Sequence, residues 1–195
     1  MKKIITFLKK YLWVWIIIIV VVAYTGDLYL QKAGQKPSAT PSPTPVSQTA
    51  SYKSIVPGIG TETELTKLLG KPLTQSTTGN QALLTYKSTN VYRHHVAIIE
   101  NGKVVLIKEI VNSNDNKNAD SVTSVYGVAP NTLYSKLPGA SFSLCVYPSN
   151  GIAYLGHPDG TLLEIWYFQP TTIEGFISSW GQDYSTTPTS NENVY

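Results

Sequence analysis

Between Thr61 and Pro72 the chain reads "TETELTKLLGKP". Leu65, Leu68 and Leu69 fall on one face at helical spacing, which predicts a short amphipathic helix. Thr61 and Glu64 make a capping box at its start. Gly70 and Pro72 stop it. Two turns are not stable alone, so the leucine face must lie on something else. The next apolar runs are β-branched and aromatic: "ALLTYKS" (82–88), "HHVAIIE" (94–100) and "KVVLIKEIV" (103–111). They predict three strands, and Asn101-Gly102 predicts a hairpin between the last two.

The pattern recurs. In "DSVTSVYGVAP" (120–130), Val122, Val125, Tyr126 and Gly127 stand 57 residues after Leu65, Leu68, Leu69 and Gly70. "FSLCVYP" (142–148), "GIAYLGH" (151–157) and "TLLEIWYF" (161–168) follow as strands. Asp159-Gly160 lies 58 residues after Asn101-Gly102. Ordered landmarks at a constant offset predict an internal duplication. A last helix is predicted over 172–180, with Thr171 and Glu174 as a capping box and Ile173, Phe176, Ile177 and Trp180 at helical spacing. The expected fold is therefore α+β: an N-terminal transmembrane helix, then two tandem repeats of one helix plus a three-stranded antiparallel sheet, then a C-terminal helix. The repeats are placed at about 54–111 and 119–168, inside a domain of 54–183.

The flanks have a different composition. "YLWVWIIIIVVVAYTGDLYL" (11–30) is apolar apart from Thr25, Gly26 and Asp27. About 20 residues of helix span a bilayer core. Four lysines precede it and hold residues 1–10 in the cytoplasm, which places the remainder outside. A cleaved signal peptide is the competing reading, although "VVAYTG" is a poor small-x-small site. The expected localisation is the cytoplasmic membrane, single-pass, with an extracytoplasmic C-terminal domain. Residues 31–53 form a spacer; its "PSATPSPTPVSQTA" (37–50) has the composition of an extended stalk of roughly 40 Å. Residues 184–195 read as a disordered tail.

Net charge is +3 over 195 residues, but its distribution decides what it means. Residues 1–50 hold six lysines against Asp27, a net +5; residues 51–195 hold nine basic and eleven acidic residues, a net −2. The folding part lacks the basic footprint of a nucleic-acid binder. Cys145 is the single cysteine, which excludes an internal disulfide, and in an apolar strand it reads as core.

The unit that opens "IVPGIGTETELTKLLGKP" resembles the BamE/SmpA/OmlA small-lipoprotein family and, equally, the tandem-repeat β-lactamase-inhibitory-protein fold. Ile55, Gly58, Thr61, Leu68, Leu69, Gly70, Pro72 and Tyr86 carry the resemblance. It covers 55–110 well and 120–168 loosely. It implies a non-enzymatic protein-binding module of the cell envelope. There is no lipobox cysteine, so lipid anchoring and outer-membrane assembly are not implied.

No catalytic set emerges. His94 and His95 are adjacent on a strand and point to opposite faces. His157 stands beside a turn. "NSNDNKNAD" (112–120) lacks the glycine and the closing glutamate of a calcium loop. No cofactor, metal or enzymatic activity is expected. The residues expected to bind are Trp166, Phe168, Tyr147 and Lys108, as aromatics and a cation on the open face of a sheet. The expected partner is an envelope protein. The alternative is a wall glycan stacked on Trp166 and Tyr147, and an unrecognised enzyme is the remaining class.

Overall fold

A computed structural model describes residues 48–188, apart from 138 and 141. The expected cytoplasmic segment, membrane anchor and most of the spacer lie outside the described residues, as do 189–195. No helix among the described residues is long and apolar enough to cross a membrane.

The three helices expected within 54–183 form, the first of them on its predicted capping box. In α1 (Glu62–Leu69) the Thr61 hydroxyl accepts the Glu64 amide at 3.2 Å, and Glu64 accepts the Thr61 amide at 2.8 Å. Helix α2 (Ala119–Tyr126) is capped by Asn118, which accepts the Ser121 amide at 3.0 Å. Helix α3 (Ile173–Ser179) starts one residue later than its expected capping box. Thr172 is the cap, accepting the Gly175 amide at 3.1 Å, while the Thr171 amide is committed to the Pro148 carbonyl.

The strands are β1 (Thr74–Thr78), β2 (Gln81–Tyr86), β3 (His95–Glu100), β4 (Lys103–Ile110), β5 (Asn131–Ser135), β6 (Ser143–Tyr147), β7 (Ile152–Gly156), β8 (Leu162–Phe168) and β9 (Tyr184–Ser185). They correct the expected architecture. Instead of two three-stranded sheets there is one nine-stranded antiparallel sheet, in the order β1-β2-β3-β4-β8-β7-β6-β5-β9. Each helix α1 and α2 is followed by four strands, and β4 pairs with β8 to fuse the two sets. The reason is edge pairing: β4 is buried at six of its eight positions and β8 at four of seven, and a neighbour on each side satisfies their backbone groups. The folded region also begins earlier than 54. Ala50 and Tyr52 are buried, and the Ala50 amide donates to the Asn150 carbonyl at 2.8 Å. Tyr184 joins the sheet as β9 rather than a tail.

The sheet has two unequal faces. On one, Leu84, Tyr86, Ala97, Ile99 and Ile107 pack on Leu65 of α1, and Tyr147, Ile152 and Ile165 pack with Val122 of α2. Tyr167 borders both clusters. On the other, Leu106, Leu144, Val146, Leu155, Trp166 and Phe168 lie with Phe176 of α3. That helix covers the β5–β8 side only. Over β1–β3 the same face carries Ser76, Leu83, Thr85, Val96 and Ile98, and the Leu83 side chain is 47 % exposed. The boundary between covered and uncovered sheet runs along β4 and β8.

Candidate functional site

A cleft of about 500 Å³ lies at that boundary, lined by Arg93, Lys108, Phe142, Leu155, Glu164, Trp166, Asp183 and Tyr184 among others. Strand alternation places the central groups. Lys108 on β4 is the register partner of Trp166 on β8, and Ile110 is the partner of Glu164. Residues two apart on a strand share a face, so Glu164 and Trp166 point the same way. The 58-residue offset between the hairpin landmarks also separates Lys108 from Trp166. An antiparallel seam pairs positions of constant sum, so this pair is its centre.

The Lys108 ammonium sits 3.6 Å from the centroid of the Trp166 ring. Trp166 Nε1–H donates to Glu164 at 2.5 Å, and the Arg93 guanidinium pairs with the other oxygen of that carboxylate. Tyr184 meets the Trp166 ring edge-on, with centroids 6.0 Å apart. Burial holds the Lys108 pKa below the ordinary lysine value, against Glu164 and Asp183, which raise it. Burial, then the Glu164 and Asp183 charges, push the Tyr184 phenol up to about 12.

Of the expected binding residues, Lys108 and Trp166 come together here, but Trp166 is only 2 % exposed. Phe168 is fully buried against Phe176, with ring centroids 4.8 Å apart. The expectation of open-face aromatics is thus corrected: α3 lies over that row. Tyr147 is on the opposite face, where its hydroxyl donates to the Gly127 carbonyl at 2.7 Å. Burial raises its pKa to about 12. Glu164, on the same row as Trp166 and Phe168, is tied to Arg93 and Trp166. Arg93 and Tyr184 were missed by sequence reasoning. One lies in the polar loop 87–94 and the other in the segment read as a tail; neither has periodicity to mark it.

The histidines do not converge. His95 Nδ1 accepts the Ile110 amide at 3.0 Å, on the face where Tyr167 and Lys117 both bind Glu109. His157 is in the exposed β7–β8 turn. Cys145 is a free, half-buried thiol beside Tyr154 in the β6–β7 register. Among the described residues no group of three or more His, Cys, Asp or Glu side chains could hold a metal ion. The stretch 112–120 connects β4 to α2 and enters its first turn, with Asn112 and Asp115 bonded across a 3₁₀ turn.

No family model matches the chain, and no curated protein does. Solved structures with similarity include a DUF4309 family protein of Bacillus subtilis: 9 % identity, TM-score 0.40, covering 60 % of this chain and 84 % of that one. A cysteine-rich secretory protein of Staphylococcus aureus has 12 % identity and TM-score 0.42, over 75 % of this chain and 54 % of that one. An extracellular protein of Bacillus anthracis with an SCP domain has 13 % identity and TM-score 0.42, over 76 % and 54 %. This chain therefore spans about half the length of the last two. None of the three is described as a BamE-type or β-lactamase-inhibitory protein.

Proposed function

We propose that this protein is a membrane-anchored, extracytoplasmic protein-binding module of the cell envelope that works by recognition without turnover. The carrying observation is the uncovered half of the sheet face. Leu83 stands 47 % exposed beside Val96 and Ile98, next to the cleft lined by Arg93 and Lys108. Exposed apolar and aromatic side chains with an arginine near them are what protein interfaces concentrate. The exposed Val91 and Tyr92, in the loop that supplies Arg93, extend the surface at one end. The resemblance carried by 55–110 points the same way without naming a partner. The glycan reading loses its platform, because Trp166 and Tyr147 are buried on opposite faces.

The test is site-specific photo-crosslinking of the full chain in native envelope. A crosslinker at Leu83 is expected to capture a defined envelope protein. One at exposed Ser124 on α2, on the other face, is expected not to. Equal capture from both sites, or none from Leu83, would sink the proposal.

A further inference from the structure

One group in the cleft has its bonding left open. Among the described residues no hydrogen-bond acceptor reaches the Lys108 ammonium; its contact is the face of Trp166. A ring face attracts a cation but accepts none of its three N–H donors in a conventional hydrogen bond. The nearest carboxylate in register is already engaged, since Glu164 takes Arg93 on one oxygen and Trp166 Nε1–H on the other. Half-buried at the cleft wall, the ammonium keeps its donors free for a ligand anion that enters the cleft. The group is held in place from below by the Trp166 ring, which is itself fixed by Glu164, Tyr184 and Phe176.

The walls select the anion. Leu137, Phe142 and Leu155 line the cleft, and about 500 Å³ is far more than a carboxylate fills. The ligand must therefore carry an apolar body next to its charge. Glu164 and Asp183 stand in the same wall. With the cations Arg93, Lys108 and Lys136 they leave the lining only one positive charge in excess (3 − 2), which suits a single carboxylate better than a phosphate dianion or a polyanion, and they can accept an amide N–H. A single carboxylate, an adjoining apolar side chain and a nearby amide together describe the last residue of a polypeptide. An internal glutamate brings the carboxylate without the apolar body beside it.

We propose that this cleft binds the C-terminal carboxylate of a partner polypeptide ending in an apolar residue, with Lys108 donating to the carboxylate and Leu137, Phe142 and Leu155 receiving the side chain. The inference rests on the protein-binding reading above and assigns its chemistry. Arg93 stays paired with Glu164.

The experiment titrates the full chain in detergent micelles and follows the Trp166 indole N–H resonance. The probes are acetyl-Ala-Ala-Leu with a free carboxylate, its C-terminal amide, and acetyl-Ala-Glu-Ala amide. The free acid is expected to shift the resonance saturably. The amide and the glutamate peptide are expected to bind about ten- to hundredfold more weakly, the range for losing a charge-assisted hydrogen bond. Lys108→Met keeps an apolar stem on Trp166 and is expected to weaken the free acid by the same factor. Should that variant fold poorly, the acid-to-amide ratio on the unaltered chain decides alone. Equal binding of acid and amide, equal binding of the glutamate peptide, or no shift with the acid at millimolar concentration would overturn the inference. Crosslinking at Leu83 separates the two readings: capture retained beside a blank titration removes the carboxylate site and leaves the module standing. A saturable titration with no capture does the reverse.

Discussion

Gly151 turns the chain between β6 and β7 with φ +70°, and a Cβ there would lie 2.2 Å from the Phe168 carbonyl oxygen. Neither the backbone conformation nor the space admits a side chain. Gly151→Ala is expected to destabilise by about 2–4 kcal/mol, read from denaturant midpoints at constant m. His95 makes a second residue-scale prediction. Its Nδ1 must be unprotonated to accept the Ile110 amide. Burial lowers its pKa below 6.5, helped by Lys53 and Lys117 and opposed by Glu109 and Asp115. A folded pKa below the unfolded one favours the neutral form, so this stability is fully present above pH 6.5 and is lost as pH falls through the folded value. The melting temperature is expected to drop on acidification across that window, and His95→Asn to flatten the drop. An unchanged pH profile in the variant would contradict this.

Helix α3 shows what one short element does. Phe176 touches Phe168, Trp166 and Trp180. Phe176→Ala is expected to cost about 3–5 kcal/mol and to raise binding of a hydrophobic dye as Phe168 and Trp166 open to water. Val128→Ala, at an exposed position, is expected to stay within about 0.5 kcal/mol. The helices and six of the strands were legible because their apolar periodicity and caps are local. Strand β1 was not: "TQSTT" is exposed at every position, so no alternation marks it. It is a strand because β2 pairs with it. Strand β5 is short, and β9 spans two residues. The cleft was half legible. Alternation singled out Lys108 and Trp166, but whether water or α3 faces that row depends on tertiary packing, and Arg93 arrives from a loop without pattern.

At the scale of the molecule, the β4–β8 seam makes the two sets of strands one structure. Leu106 opposes Phe168 and Lys108 opposes Trp166 across it, so neither set can lose its edge without exposing the other's core. Unfolding of the described region is expected to be a single transition, coincident by tryptophan fluorescence and far-ultraviolet dichroism; two separated transitions would show independent halves. The same seam ends the helix cover and leaves the β1–β3 face open, which is where recognition is placed. The most direct measurement is the affinity of the crosslinked envelope partner for the full chain and for its Leu83→Asp variant, with melting temperatures run alongside. The account predicts that Leu83→Asp weakens binding about tenfold or more while melting unchanged, because Leu83 is a surface contact and not core. Equal affinity for the two chains would contradict it.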